Sequence, residues 1–391
     1  MNYTVESSRV ILPLEGRITS DNAPELMRRL QEILDANPSL EPVFDLDKTE
    51  YMSSAGLRVL LTVRQRWQKP LEFRNVSPGM LEILNVTGFS TLFTLKKKIR
   101  EIDLTGCGVI GHGQFGTVYR LDADTIVKIY IMPDSLPAIE DERNKARSAF
   151  LKGVPTAISF DIVKAGDCYG TVFELLKAKT YNDLIRNEPE NADALIAEYT
   201  DFLRSVHAVE MDPGIFPLAR DVFLGYLSVL REVMPPEQLA AAESLLRDLP
   251  EDYHMVHGDF QMKNVMRTES GPMLIDMDTL CTGQPVFDLQ ALYVSYILFG
   301  EGDPDNSMAF LGIPGEMARR IWNTLFRRYL GSDDPAVLNP ALDRIILLAC
   351  LRFLYIILTT DHRDSPLGPV RIRRALEHLS EVIPRVSTLI L

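Results

Sequence analysis

The sequence predicts an α/β sandwich over its first hundred residues, followed by a larger α+β domain with a β-rich first lobe and a helical second lobe. Three observations support this fold class. Short β patterns alternate with amphipathic helical patterns before residue 105. A glycine-rich segment, residues 111–116, stands between β patterns rather than at the start of a helix. The residues after Leu292 read as a run of helices.

The composition is that of a globular protein. Of the 391 residues, 46% are hydrophobic and 24% are charged, which excludes a mainly disordered or fibrous chain. At roughly 100–200 residues per domain, the length allows two or three domains. The four cysteines are far apart and form no CxxC pair, so neither a disulfide scaffold nor a zinc knuckle is expected. This cysteine usage favours a reducing, cytoplasmic location.

No membrane segment is predicted. The most apolar stretch, Ile345–Leu358, is interrupted by Arg352 and is shorter than the roughly 20 residues that cross a bilayer. It is therefore interpreted as a buried helix of a large core. The N-terminal residues lack the basic and apolar segments of a secretory signal, so none is expected.

The net charge of −13 lies entirely after residue 105. Residues 1–105 contain 14 basic and 14 acidic side chains, whereas the remaining 286 contain 27 and 40. Such an acidic region predicts no nucleic-acid partner and no anionic membrane partner.

A domain boundary is expected near residue 105. The basic run Lys96–Arg100 precedes two glycines, so Lys96–Thr105 is interpreted as a connector or a terminal helix. The predicted domains are residues 1–104 and 105–391, the second with lobes of about 105–176 and 177–391.

The elements of the first region follow from periodicity. The strands and helices expected, in chain order, are Val10–Leu14, helix Ala23–Leu34, Pro42–Leu46, a helix after Ser53-Ser54, Leu71–Val76 and helix Pro78–Val86. Alternation of this kind predicts a small α/β sandwich, and no motif in it suggests catalysis.

The segment Val43–Leu61 is the most informative part of this region. Its strand with acidic residues leads to a serine pair and a glycine at a helix start. Together with the Leu14–Ile18 turn, it resembles STAS domains, the anti-sigma-factor antagonist family. The resemblance implies a protein partner and phosphorylation of Ser54 by a partner kinase, although Ser53 replaces the family's Asp. A helix N-terminus would stabilise such a phosphate.

The alternative interpretation of the serine pair is structural. In that case Ser53 or Ser54 only caps the helix that follows.

The second region begins with a glycine loop. Residues 111–118 fit G-x-G-x-x-G-x-V, and the candidate phosphate-binding residues are Gly111, Gly113, Gly116 and Val118. A dinucleotide site would need a helix after the glycines. Instead, the β patterns Thr117–Leu121 and Thr125–Tyr130 flank a polar turn, which is the strand–turn–strand arrangement of kinases.

Lys128 stands in the centre of an apolar strand. A buried ammonium must be paired, and the kinase interpretation supplies nucleotide phosphates and a glutamate on the next helix. That helix is expected over Ala138–Leu151, with Glu142 as the preferred partner and Glu140 as the alternative. The competing interpretation is a surface lysine on an edge strand.

The strongest motif is Val256–Asn264, which has the Asp-x4-Asn spacing of a kinase catalytic loop. Asp259 would take the proton of the acceptor hydroxyl, and Asn264 would hold Mg²⁺. Asp276 follows the strand residues Leu274-Ile275 and would also bind Mg²⁺. Asp278 would join a second metal or stiffen the loop.

Two histidines are assigned structural roles. His257 would anchor the loop by hydrogen bonds, and His207 is interpreted as a core or capping residue.

The form that these motifs take in this chain resembles that of the aminoglycoside phosphotransferase and choline kinase family. The chain has His257-Gly258-Asp259, then Ile275–Asp278, then Gly283–Leu289, and no Ala-Pro-Glu follows these motifs. The resemblance implies ATP-dependent phosphorylation of a small-molecule hydroxyl, with the nucleotide between two lobes. Adenine would contact the connecting segment Thr171–Leu176, where Glu174 and Leu176 are the candidate residues.

Together the resemblances imply an α/β STAS sandwich followed by an α+β protein kinase-like bilobal fold. The primary hypothesis is an ATP- and Mg²⁺-dependent phosphotransferase acting on a small molecule, with a STAS module for regulation or partner binding. The first alternative is a protein Ser/Thr kinase acting on Ser54 or a partner's equivalent serine. The second is a nucleotide-binding pseudokinase, against which the complete set of catalytic residue types argues.

Overall fold

The structure is a computed structural model that describes residues 2–67, 71–113, 116–303 and 305–391. It divides into two compact units. The first contains Met1–Asp103 and Ile162–Asp167, and the second contains Leu104–Asp161 and Cys168–Leu391.

The first unit contains a five-stranded sheet with the strand order β1-β2-β3-β4-β5. The first pair of strands is antiparallel and the others are parallel. The strands are β1 (Thr4–Glu6), β2 (Arg9–Ile18), β3 (Glu41–Met52), β4 (Leu71–Val76) and β5 (Phe93–Lys97). The helices are α1 (Ala23–Ala36), α2 (Ser54–Trp67) and α3 (Pro78–Val86). Two further strands of this unit, β6 (Arg100–Glu101) and β10 (Asp161–Ala165), pair in parallel.

Aromatic side chains from neighbouring strands form the centre of this unit. Phe44 on β3 meets Phe73 on β4 edge-to-face at 5.4 Å between ring centroids, and Phe73 stacks on Phe93 of β5 at 4.4 Å. Phe44 and Phe73 are fully buried. Burial of such large apolar side chains is the main stabilising term for a small sandwich.

Two sequence expectations for this unit are wrong. Leu14–Ile18 is not a turn but the end of β2, which continues through a bulge with Gly16 at φ +68°. A bulge accommodates an extra residue without ending the strand, which is why a turn-like glycine remains inside it. Lys96–Thr105 is neither a connector nor a helix at its start, because Lys96 and Lys97 belong to β5. Exposed lysines are typical of an edge strand.

The β-rich part of the second unit is an antiparallel sheet in the order β11-β9-β8-β7. Its strands are β7 (Val109–His112), β8 (Gly116–Arg120), β9 (Thr125–Tyr130) and β11 (Cys168–Glu174). Helix α4 (Leu136–Leu151) follows β9. The expected strand–turn–strand arrangement around the glycine loop is confirmed, since β8 and β9 pair directly.

The remainder of the second unit is mainly helical. Its short strands are β12 (Lys179–Thr180), β13 (Met255–Val256), β14 (Val265–Thr268), β15 (Gly271–Leu274) and β16 (Cys281–Thr282). Its helices are α5 (Tyr181–Asn187), α6 (Ala192–His207), α7 (Ala219–Leu230), α8 (Pro236–Arg247), α9 (Val286–Tyr296), α10 (Asn306–Leu311), α11 (Gly315–Leu330), α12 (Pro335–Thr359) and α13 (Gly368–Val382).

Helix α12 lies at the centre of this helical part. It packs on α7, α9 and α13, and most of its side chains between Ile345 and Leu358 are buried. The apolar stretch is thus a core helix, as the sequence predicts. Within the described ranges, no helix combines the length and apolarity needed to cross a membrane.

An ion pair attaches α13 to the segment after α9. His378 Nε2 lies 2.9 Å from Glu301 Oε2, and this hydrogen bond raises the pKa of His378 above 6.5 although burial opposes the shift. Because the folded state binds the proton more tightly than the unfolded chain, the stabilisation is complete below pH 6.5. It is lost as the pH rises through the folded-state pKa.

We therefore expect His378→Gln to lower the melting temperature more at pH 5.5 than at pH 9, with a loss of roughly 1 kcal/mol at the lower pH. Calorimetric unfolding at both pH values measures this difference. Glu301→Gln should show the same pH dependence, because it removes the other half of the pair. An equal loss at both pH values for either variant would contradict the assignment.

Candidate active site

Lys128 occupies the middle strand of the second unit's sheet and points to two carboxylates. In β9 it lies opposite Val118 of β8 and Thr171 of β11. Its Nζ is 3.5 Å from Glu142 Oε1 and also pairs with Asp276 Oδ1. Burial alone would lower the pKa of Lys128, but the two carboxylates outweigh it and raise the pKa. The ammonium group is therefore charged at neutral pH.

Glu142, rather than Glu140, is the helix partner of Lys128. Glu142 is buried on α4 and also accepts a hydrogen bond from the Tyr130 hydroxyl, whereas Glu140 is exposed. The two residues are two positions apart on a helix and so face different directions. The structure thus resolves the alternative that sequence spacing leaves open.

The glycine loop connects β7 to β8. Gly113 N–H donates to the Gly116 carbonyl at 2.8 Å, which closes the loop. A Cβ on Gly116 would stand 2.4 Å from the backbone oxygen of Ile129, so only glycine permits this β8–β9 pairing. Gly111 has Val118 as its cross-strand neighbour and no close steric contact. Residues 114 and 115 of the motif lie outside the described residues.

Asp259 follows β13 and receives three side-chain donors. Gln261 Nε2 donates to Oδ2 at 2.8 Å, and Asn264 Nδ2 donates to the same oxygen at 3.0 Å. Arg352 of α12 approaches Oδ1 at 3.3 Å. These bonds hold the carboxylate in one orientation, which a general base requires.

A buried aspartate anchors the loop that carries Asp259. Asp288 of α9 is fully buried, and it accepts hydrogen bonds from the backbone N–H groups of His257 at 2.9 Å and Gly258 at 2.7 Å. Burial would raise the pKa of Asp288, but the hydrogen bond and charge of His207, with help from His257, lower it. The carboxylate therefore stays ionised and holds the loop.

The two histidines occupy the structural positions that their places in the sequence predict. His207 Nε2 lies 2.9 Å from Asp288, and its Nδ1 lies 2.8 Å from the Tyr329 hydroxyl. His257 is fully buried, with Nε2 3.3 Å from the Ile275 carbonyl. Both rings hold backbone or buried groups in place.

Asn264 and Asp276 are the candidate metal ligands. Ile275 N–H donates to the Asn264 carbonyl at 2.9 Å, which brings the two segments together. Asn264 uses its Nδ2 for Asp259, which leaves its Oδ1 as an oxygen ligand. Asp276 has φ +63°, a left-handed conformation that costs about 1–3 kcal/mol in a non-glycine residue and is concentrated at functional sites.

The chemistry of this pair suits Mg²⁺. Magnesium takes oxygen ligands, and it keeps waters and phosphate oxygens besides one or two protein ligands. Among the described residues there is no group of three or more His, Cys, Asp or Glu side chains that could form a metal cage. The adjacent Asp278 is partly buried, and burial, followed by Asp276 and Glu142, raises its pKa to about 6.

The two predicted adenine-contacting residues, Glu174 and Leu176, lie on the segment at the end of β11. Strand β11 ends at Glu174, whose side chain is exposed, and Leu176 is partly buried beyond it. Within the described ranges, no hydrogen bond or ion pair connects either residue to Lys128 or Asp259.

Ser54, in the first unit, begins helix α2 and is exposed. Ser53 Oγ accepts from Gly56 N–H at 3.4 Å, so Ser53 rather than Ser54 is placed as the cap. The Ser54 hydroxyl is therefore accessible to a modifying enzyme.

Sequence reasoning missed Arg352, Asp288 and Gln261 as parts of this site. For the first two, a signal was present in the sequence. Asp288 is the single charged residue of α9, and Arg352 is the single charged residue of the apolar stretch Ile345–Leu358 in α12. A charge in such surroundings must find a partner.

Comparison with known proteins identifies both regions of the chain. Residues 107–312 match a family model described as the phosphotransferase enzyme family, and residues 1–96 match one described as Mlab, STAS domain. The chain therefore belongs to the phosphotransferase enzyme family and carries a STAS domain. BtrV of Bordetella bronchiseptica, named as an anti-sigma factor antagonist, is 33% identical over 87 residues, which are 22% of this chain and 74% of BtrV.

Solved structures with a similar fold include aminoglycoside phosphotransferase APH(4)-Ia, at a TM-score of 0.50 and 15% identity. A ternary complex of a thermostable mutant with ADP and hygromycin B covers 72% of this chain and 95% of that protein. A complex with AMP-PNP and hygromycin B covers 72% and 94%. A choline/ethanolamine kinase family protein from Mesorhizobium loti has a TM-score of 0.46 at 18% identity and covers 71% and 92%. The APH(4)-Ia matches confirm the predicted kinase-like fold.

The steric requirement at Gly116 gives a first prediction for the site. Gly116→Ala should separate β8 from β9 and cost about 1–3 kcal/mol. It should also weaken ATP binding, because the glycine loop leads into β8. Gly108→Ala is the matched control, since a Cβ there meets nothing within 4 Å. Thermal unfolding and ATP titration compare the two, and equal behaviour would refute the argument.

The positions of Glu142 and Glu140 give a second prediction. Glu142→Gln removes the buried negative charge beside Lys128 and should weaken ATP binding at least fivefold, because the lysine loses its orientation. Glu140→Gln changes the same residue type on the exposed face of α4 and should leave binding within twofold of the wild type. Calorimetric titration with ATP measures both, and the reverse order would exclude Glu142 as the partner.

Proposed function

We propose that the chain is an ATP- and Mg²⁺-dependent phosphotransferase that acts on a hydroxyl group of a small molecule. Residues 105–391 would form the catalytic domain, and residues 1–104 a STAS module for regulation or partner binding. The observation that carries the proposal is the meeting of Lys128, Glu142 and Asp276 in the same unit as the Asp259–Asn264 loop.

Nucleotide binding would use the charge at Lys128. Its ammonium is oriented by Glu142 and would pair with the α- and β-phosphates of ATP. Gly111, Gly113 and Gly116 would let the loop backbone approach the phosphates, with Val118 under the base. Glu174 and Leu176 would contact the adenine. The ADP and AMP-PNP complexes of APH(4)-Ia support nucleotide use by analogy of fold.

Magnesium would be held by the Asp276 carboxylate and the Asn264 side-chain oxygen, a donor set that fits this ion. When bound, it would neutralise the negative charge of the phosphates. In this arrangement Asp276 would exchange its pairing with Lys128 for the ion, which frees the ammonium for phosphate oxygens.

In the transfer step, Asp259 would orient the acceptor hydroxyl and accept its proton. The acceptor oxygen forms a bond to the γ-phosphorus while the bond from that phosphorus to the bridging oxygen of ADP breaks. The products are ADP and a phosphate monoester, and the proton leaves with Asp259 for solvent. Catalysis would consist mainly of positioning and charge stabilisation.

The test is ADP formation by the purified full chain over a panel of hydroxylated small molecules, including amino sugars and choline. We expect Asp259→Ala to lower turnover about 10²–10⁴-fold while the protein stays folded. Asp364→Ala, an exposed aspartate in the same unit, is the control and should be unaffected. Near-normal turnover in Asp259→Ala would exclude the mechanism. ATP binding without turnover of any acceptor would favour a pseudokinase.

A second candidate function is protein Ser/Thr kinase activity, favoured by the exposed hydroxyl of Ser54 at a helix N-terminus. The substrate would be Ser54 itself or the equivalent serine of a partner's STAS domain. Incubation with γ-labelled ATP tests it: label on the wild type and on Ser53→Ala, but not on Ser54→Ala, would support this function. Label that persists on Ser54→Ala would exclude Ser54.

A further inference from the structure

Arg352 is a charged residue in the apolar core helix α12. Its neighbours Leu351 and Phe353 are buried, and its own side chain is only 16% exposed. Removing a guanidinium from water costs several kcal/mol unless it is paired. An apolar side chain at this position would pack in the core without that cost. The presence of an arginine is therefore explained by the groups with which it pairs.

Those partners are two consecutive residues of the Asp259 loop. One terminal nitrogen, Nη1, donates to the Gly258 carbonyl, and the other, Nη2, lies 3.3 Å from Asp259 Oδ1. The planar guanidinium presents its donors in a rigid fork. It therefore ties the direction of the Asp259 carboxylate to the position of the backbone one residue earlier.

The hydrogen bonds on Asp259 leave room for one more donor. An ionised carboxylate has about four acceptor positions, two on each oxygen. Gln261 and Asn264 occupy both positions on Oδ2, and Arg352 occupies one on Oδ1. Among the described residues, no other donor bonds to this carboxylate, so the remaining position lies on Oδ1 beside Arg352.

A stacked tyrosine pair includes a residue of the next turn of α12. Tyr355, one turn after Arg352 on α12, stacks on Tyr226 of α7 with ring centroids 4.1 Å apart. Burial raises the pKa of Tyr226, and Arg352 opposes that shift, so the guanidinium lies within electrostatic range of the phenol.

We propose that Arg352 is a positioning residue for phosphoryl transfer, which holds Asp259 so that the free position on Oδ1 faces the acceptor hydroxyl. This inference rests on the proposed function. Arg352 acts through Asp259, and its loss should reduce the rate of the transfer step and leave nucleotide binding unchanged.

The experiment uses the hydrolysis of Mg·ATP by the full chain, in which water replaces the acceptor hydroxyl and the products are ADP and phosphate. We expect Arg352→Gln to lower kcat about 10–100-fold with the KM for ATP within twofold. Arg352→Lys retains the charge but has a single donor nitrogen in place of the fork, and it should have an intermediate kcat. Arg344→Gln is the matched control, because Arg344 lies on the same helix and donates to the Thr388 carbonyl.

A double-mutant cycle separates positioning from a structural effect. In an Asp259→Ala background, Arg352→Gln should change the residual rate less than twofold, because the group through which it acts is absent. An equal loss in both backgrounds, or a normal kcat in Arg352→Gln, would overturn the proposal. If Arg352→Gln melts lower than the wild type, the cycle is repeated with Arg352→Lys under the same criterion. Hydrolysis by Asp259→Ala at the wild-type rate would instead refute the proposed function itself.

Discussion

The ion pair between Lys128 and Asp276 joins positions that are 148 residues apart, one in the sheet and one after β15. Each of these two residues carries a cost where it stands. Lys128 lies in an apolar strand, and Asp276 has a left-handed backbone conformation. The buried ammonium is compensated by two carboxylates, Asp276 and, on the helix that follows β9, Glu142. In the second unit, this cluster joins β9 and the helix that follows it to the segment after β15.

In the helical part of the second unit, the buried carboxylate of Asp288 connects distant segments of the chain. Asp288 accepts two backbone N–H groups of the loop and the His207 side chain, so all of its bonds lie inside the core. These donors fix the orientation of the carboxylate, because the loss of any one hydrogen bond would leave a buried polar group unsatisfied. The loop that bears Asp259 is therefore held at its backbone N–H groups by Asp288 and at the Gly258 carbonyl by Arg352.

Local patterns predicted several elements with accurate limits. Strand Leu71–Val76 and helix Pro78–Val86 have the predicted ends, because apolar alternation and a Ser-Pro helix start mark them in the sequence. The bulge at Gly16 and the edge strand at Lys96 were wrongly interpreted. In both cases the residue type suits a turn or a connector, and only pairing with a neighbouring strand identifies it as part of the sheet.

The sequence by itself determined the two families and the residue types of the candidate site, because glycine loops and Asp-x4-Asn spacing are local features of the chain. The tertiary structure decided which charges meet. It selected Glu142 over Glu140, and it brought Arg352 and Asp288 to the loop that carries Asp259 from distant helices. Such choices depend on which face of a helix packs against which strand or loop. That information lies in the packing of the whole core and in no single segment of the sequence.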